Sequence, residues 1–221
     1  MEEQLPSLLS AVVIDTLGFF KLPGGSVAGF SLAGALSKLV NRRLQAAREI
    51  LLQELRSGEK QLPPNQIDEG VAIIYRYQRA AQEGAARLNL RLMAQTIAGK
   101  AHLGNLSADE FLQDADMIAS LRREEILLLA KLHSASRSET PSKNKPAEES
   151  VDPMKWAESQ LVPSVFRNRE ELEATAAAIV RTGLIKTESG YGAIHYSPTP
   201  LLDRLVARAP LEAAIAKENA G

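Results

Sequence analysis

Three histidines, His102, His133 and His195, are the residues of this chain best suited to proton transfer or metal binding. Imidazole is the side chain whose ordinary pKa lies near neutrality. None of the three has a nucleophile or carboxylate at a catalytic spacing, and no Glu-x-x-His unit is present. Asp109, Glu110, Asp114 and Asp116 form an acidic patch in which Glu110 and Asp114 stand one helical turn apart. Without a histidine beside them, a solvated helix face accounts for them better than a metal site. Gly24-Gly25-Ser26 could cradle an anion, but it lacks the lysine and the preceding strand of a phosphate loop. There is no cysteine, which excludes thiol nucleophiles, cysteine-ligated zinc and disulfides. The residues therefore predict a protein with no catalytic centre, no metal and no cofactor.

Charge and composition narrow the remaining classes. The 221 residues carry 26 basic and 27 acidic side chains, for a net charge of −1. A dedicated nucleic-acid binder would carry a basic surplus. Apolar residues at 45% supply a core for one large domain or two small ones. The acidic start, Met1-Glu2-Glu3, does not fit the positive leading region of a secretory signal. With the lack of cysteine, it predicts a cytoplasmic protein.

Residues 5–37 carry only Asp15 and Lys21 as charges, and their longest uncharged run is broken by Pro23-Gly24-Gly25. A spanning helix needs about 20 unbroken apolar residues. Leu5, Leu8, Leu9, Val12, Val13, Leu17 and Phe20 share one face of a helix, and Gly25 and Gly29 have the spacing of close helix contacts. An apolar helical hairpin follows, either core or membrane-active.

Helical periodicity continues well beyond that hairpin. Leu36, Val40, Leu44, Ala47, Leu51 and Leu55 form a stripe that ends near Gly58 and Pro63-Pro64. Ile67, Val71, Ile74, Gln78, Ala81, Ala85, Leu88 and Leu92 then hold a 3.5-residue average spacing. That spacing predicts one helix of some thirty residues, antiparallel to its predecessor, with a coiled-coil-like seam for a partner helix or a second copy. Gly99 and Gly104 bracket a loop. Ser107 with Glu110 caps a helix burying Phe111, Leu112, Ala115 and Ile118, and Leu121–Leu132 is a further apolar helix.

From Ser134 onward the chain becomes polar and proline-punctuated. The domain division expected is a helical bundle over 1–136, a linker over 137–153 and a second domain over 154–221. In the last part, Asn168 caps a helix ending at Thr182-Gly183-Leu184-Ile185. Residues 187–192 offer turn chemistry, Tyr191–Ser197 returns, and Thr199-Pro200-Leu201 opens a helix. Trp156 is expected to dock this domain.

A helix closing in Gly-Leu-Ile, a two-stranded wing and a Thr-Pro-Leu helix start resemble the second half of a bacterial winged-helix domain. The resemblance covers roughly forty residues. It implies a small winged-helix-like α+β domain, which with the helical periodicity before it gives a mainly α protein opening on an N-terminal bundle with a long antiparallel hairpin. Winged helices often read DNA, but Val151–Gly221 holds eight basic against nine acidic residues. Glu170, Glu171 and Glu173 also sit where the groove-reading helix would begin, and carboxylates there oppose phosphate. The expectation is a non-enzymatic adaptor that self-associates through Ile67, Val71, Ile74, Ala81, Ala85, Leu88 and Leu92. Its second domain would meet a partner protein through Arg167, Arg169, Lys186 and His195. Two alternatives stand beside it: a membrane-acting effector using residues 5–37, and a DNA-binding regulator using the same four residues.

Overall fold

Apolar stripes at helical spacing dictate a chain built from helices, and helices dominate the computed structural model, which describes residues 32–56, 67–103, 107–138, 152–190 and 193–220. The expected apolar hairpin lies outside these residues except for its last few positions. The same is true of the segment holding Gly58 and Pro63-Pro64, and of most of the expected linker. Contacts divide the chain into two units, Met1–Ser120 and Leu121–Gly221.

The first unit contains α1 (Leu32–Arg56), α2 (Ile67–Glu83), α3 (Arg87–Leu103) and α4 (Ala108–Ser120). α1 and α2 run antiparallel. Arg43 donates to the Gln82 carbonyl at 3.2 Å, and the Tyr77 hydroxyl donates to the Ala47 carbonyl at 2.8 Å. Burial holds the Tyr77 hydroxyl far above its usual pKa, so it stays a neutral donor. α3 lies at the centre, packed by α1, α2 and α4, with every residue from Leu88 to Ile97 buried. Its polar positions need internal partners, because a buried polar group without one costs about 1–3 kcal/mol. Arg91 meets Glu54 of α1 at 3.0 Å, both buried. The Asn89 amide donates to the Ile118 carbonyl, and Lys100 meets Glu110 at 2.9 Å.

The thirty-residue helix expected from the seam is instead two helices. Gly84 adopts φ +99°, a left-handed conformation that glycine takes without steric cost. The Arg43 guanidinium lies against it, 3.1 Å from where a Cβ would stand. The stripe survives the turn because α2 and α3 face one core. Ile74, Ala81, Leu88 and Leu92 are buried inside the unit. These four pack within the unit, and of the rest Val71 is exposed and Ala85 half-buried. The Ile67 side chain lies outside the described residues. Two smaller expectations change as well. Gly99 lies within α3 rather than opening a loop, and Leu112 is exposed beside buried Phe111, Ala115 and Ile118.

The second unit is built on α5 (Arg123–Ser138), which packs against all its neighbours: α6 (Pro153–Leu161), α7 (Arg169–Ile179), α8 (Pro200–Arg208), α9 (Leu211–Asn219) and strand β2 (Ala193–Pro198). The helix over 121–132, expected in the N-terminal bundle, therefore belongs here. The division falls at Ser120–Leu121, because the apolar face of α5 is buried by these elements. β1 (Ile185–Gly190) pairs antiparallel with β2, in register from Ile185 opposite Pro198 to Gly190 opposite Ala193. Three helices, a two-stranded hairpin and two further helices make this a small α+β unit.

Two polar devices set this unit's geometry. Glu125, with no exposed side-chain surface, accepts the Arg122 backbone N–H at 2.8 Å and both terminal nitrogens of Arg181 at 2.7 and 3.1 Å. Burial pushes its carboxyl pKa up, yet the Arg181 guanidinium, the Arg122 N–H and both arginine charges hold it below the usual range. Thr199 stands at the N-cap of α8 as expected, but its hydroxyl donates to the Gly183 and Leu184 carbonyls at 2.7 and 3.1 Å rather than capping the helix. It thereby ties both ends of the hairpin together.

Three substitutions test this account. Gly84→Ala should destabilise by about 1–2 kcal/mol, read as a lower urea midpoint at unchanged slope. Arg91→Met should cost about 3–5 kcal/mol, and adding Glu54→Leu should recover most of that loss. Arg181→Met should cost about 2–4 kcal/mol by stranding the Glu125 carboxylate.

Candidate functional site

The charged residues singled out in the sequence lie on short elements of the second unit, and each charge is set by its neighbours. Asp152 caps α6, accepting the Met154 N–H at 2.9 Å ahead of Pro153 at the first helical position. Asn168 caps α7 by accepting the Glu171 N–H at 3.0 Å. Glu171 reaches back to the Arg167 N–H at 2.8 Å, so the acids of that first turn serve the helix end. In the hairpin, Lys186 stands opposite Ser197 and Glu188 opposite His195, which places all four on one face.

Between these elements the charges alternate in sign. Arg169 pairs with Glu173 at 2.7 Å and approaches Glu158 at 3.7 Å. Those carboxylates, with a smaller contribution from Asp152, raise the Arg169 pKa. Asp152 in turn lies 3.9 Å from Nδ1 of His195. On the hairpin, Lys186 contacts Glu188 at 2.6 Å. Hydrogen bonding and charge from Lys186, then the Ser197 hydroxyl and the His195 charge, hold the Glu188 carboxyl below its usual range. Arg169, His195 and Lys186 thus belong to one run with Asp152, Glu158 and Glu188. Arg167 is exposed and its guanidinium has no acidic partner among the described residues.

That run adjoins a groove of about 600 Å3 lined by Ser136, Arg137, Pro153, Ser197, Pro198 and Asp203. Asp203 approaches Nε2 of buried His133 at 3.3 Å, a pairing that sequence spacing did not reveal because seventy residues separate the partners. An imidazole–carboxylate pair can orient a base, but catalysis also needs a nucleophile or substrate proton within reach. The nearby hydroxyls are committed elsewhere: Ser134 donates to Glu212 and Ser136 to the His133 carbonyl, each at 2.8 Å. Among the described residues, no group of three or more histidines and acids is placed to hold a metal ion. His102 lies in α3, and its side chain is outside the described residues. Trp156 of α6 receives the Lys131 ammonium over its ring at 5.7 Å, so it joins α6 to α5.

The missed residues were Asp152, Glu158, Glu188 and Asp203. Only Asp152 carried a local signal, as an acid directly before a helix-opening proline.

His133 yields a pH prediction. Burial lowers its pKa below 6.5, outweighing the Asp203 and Glu212 carboxylates, while Arg137 adds to the lowering. The fold therefore prefers neutral imidazole, and the unfolded chain binds the proton more readily. Stability should be full above about pH 6.5 and fall as pH drops through the folded-state value. Thermal melts from pH 8 to 5 should show that decline, and it should be shallower in His133→Gln. In comparisons across known proteins, no family model, no curated protein and no solved structure matches this chain.

Proposed function

We propose that the chain is a non-enzymatic interaction protein whose C-terminal unit recognises a partner protein. The recognising face is the run formed by Arg169, Asp152, His195, Glu188 and Lys186. The observation that carries this reading is the alternation of sign. A face for nucleic acid gains most of its affinity by releasing counterions from phosphate, which requires unopposed cations. Here Arg169, Lys186 and His195 each have a carboxylate within 4 Å. A protein surface with its own alternating charges can match such a face, gaining specificity and orientation. Self-association through the α2–α3 stripe has no part in this reading, since that stripe is largely spent inside the first unit.

The test is affinity capture with the full chain and with an Arg169→Glu, Lys186→Glu double variant. The expected result is a protein partner retained by the first, lost by the second and insensitive to nuclease, with stability within about 0.5 kcal/mol of the parent. Duplex DNA titrated at low salt should give no shift. A salt-dependent shift that Arg167→Ala and Lys186→Ala weaken would establish the DNA-binding regulator instead.

A second reading has its own observation. Leu36 and Leu39, near the start of α1, are 59% and 42% exposed. They extend the apolar segment 5–37 onto a described surface and so favour an interfacial membrane role. No helix among the described residues is long and apolar enough to cross a membrane. Flotation with anionic liposomes that is lost in Leu36→Ser, Leu39→Ser would support this role, and absence of flotation would end it.

A further inference from the structure

The hairpin of the second unit has one covered strand and one open strand. β2 packs on α5 and α6, and among the described residues no strand lies beyond β1. Lys186, Thr187 and Glu188 of β1 are all exposed. Where the backbone groups of β1 point follows from its pairing with β2. Opposed residues of an antiparallel pair alternately exchange two hydrogen bonds and none. Pro198 has no N–H, so its pair with Ile185 is of the second kind. The ladder agrees one position on, where the Thr199 N–H donates to the Leu184 carbonyl at 3.0 Å. Lys186 and Glu188 therefore face Ser197 and His195 with their N–H and C=O groups, whereas those of Thr187 and Ser189 point away from β2. An edge of this kind is usually blunted by proline, a bulge or lysine. β1 has no proline, its register is unbroken, and its one lysine is matched two residues on by Glu188.

We propose that β1 pairs antiparallel with β1 of a second copy about a two-fold axis at Thr187, joining two hairpins into a four-stranded sheet. Ile185-Lys186-Thr187-Glu188-Ser189 is self-complementary in that register. Thr187 faces Thr187 of the second copy and exchanges two backbone hydrogen bonds with it, and Ile185 faces Ser189 on either side. Lys186 then stands opposite Glu188 of the second copy, and Glu188 opposite its Lys186. These are the positions without hydrogen bonds, where side chains come closest and opposite charges favour pairing. The next register of the same hydrogen-bond phase, in either direction, sets Lys186 against Lys186 or Glu188 against Glu188. Like charges directly opposed are unfavourable, so one register is selected. The contact is isologous and closes as a dimer. One pair of strands buries little area, so association is weak and concentration-dependent. The proposal does not rest on the reading of the charged run, and its readouts need no partner protein.

The test is sedimentation equilibrium of the full chain up to about 1 mM, the range of weak dissociation constants. The mass should rise from 24.0 kDa toward twice that value. Lys186→Glu and Glu188→Lys should each abolish the rise, since either change sets like charges opposite at both positions. The double variant with both changes should restore it, because the exchange keeps opposite charges facing. These side chains are exposed, so the variants should fold as the parent does. In the parent, the Thr187 amide should exchange its hydrogen more slowly as concentration rises, while the Lys186 amide should not respond. Three results would overturn the proposal: a single mass at every concentration, association untouched by either single reversal, or a double variant that stays monomeric.

Discussion

A carboxylate removed from water must be neutralised where it stands, and Glu125 imposes that requirement on the whole C-terminal unit. Its position three residues after Leu121-Arg122 makes it the reciprocal partner of an N-terminal helix cap, so α5 begins around it. The guanidinium that neutralises it arrives from Arg181, in the single turn of 3-10 helix between α7 and the hairpin. One ion pair therefore fixes the angle at which α7 leaves the core and the point at which the hairpin starts. Gly183 then turns the chain in the left-handed region, and Thr199 closes the hairpin base from the other strand. The charged face is assembled on elements whose relative positions trace back to this pair. In the first unit, Arg91 and Glu54 play a comparable part, anchoring α3 among its neighbours. Buried pairs of this kind give less net stability than apolar residues would, yet they penalise misplacement severely.

The local grammar of the chain was legible. Ser107 and Asn168 cap helices as their spacing implies, the hairpin forms where turn residues separate β-prone segments, and the mainly α class follows from periodicity. What periodicity could not show is where a stripe changes helix. The apolar positions before and after Gly84 keep step because both helices turn toward one core, and an isolated glycine within a helical pattern costs only about 1 kcal/mol. Only the positive φ, stabilised by Arg43 lying over the turn, reveals the break. The partner of α5 was equally invisible, since an apolar helix announces that it will be buried but not against what. Thr199 is the cap residue that its place before proline implies, yet its hydroxyl serves carbonyls fifteen and sixteen residues away.

The candidate site was half legible for the same reason. Its basic members stood out as single residues, and the acidic excess around them was countable. Which acid neutralises which base depends on long-range packing: His195 meets Asp152 from forty-three residues away, and Asp203 meets His133 from seventy. Charge totals predicted the balance of that surface. They could not predict that balance is achieved pair by pair.

The charged run has an evolutionary consequence. Asp152, Glu158, Arg169, Lys186, Glu188 and His195 are all at least partly solvent-exposed, whereas the pair that orients their elements is centred on a fully buried carboxylate. If the charged run recognises a partner as proposed, recognition and folding are written on separate sets of side chains. Signs on the surface can be exchanged two at a time, a base for an acid and its neighbour the reverse, while the interior stays as it is. A lineage carrying this unit could drift from one partner to another through such paired exchanges, each intermediate still folded. Duplicated copies would be expected to diverge first at these six positions and last at Glu125 and Arg181.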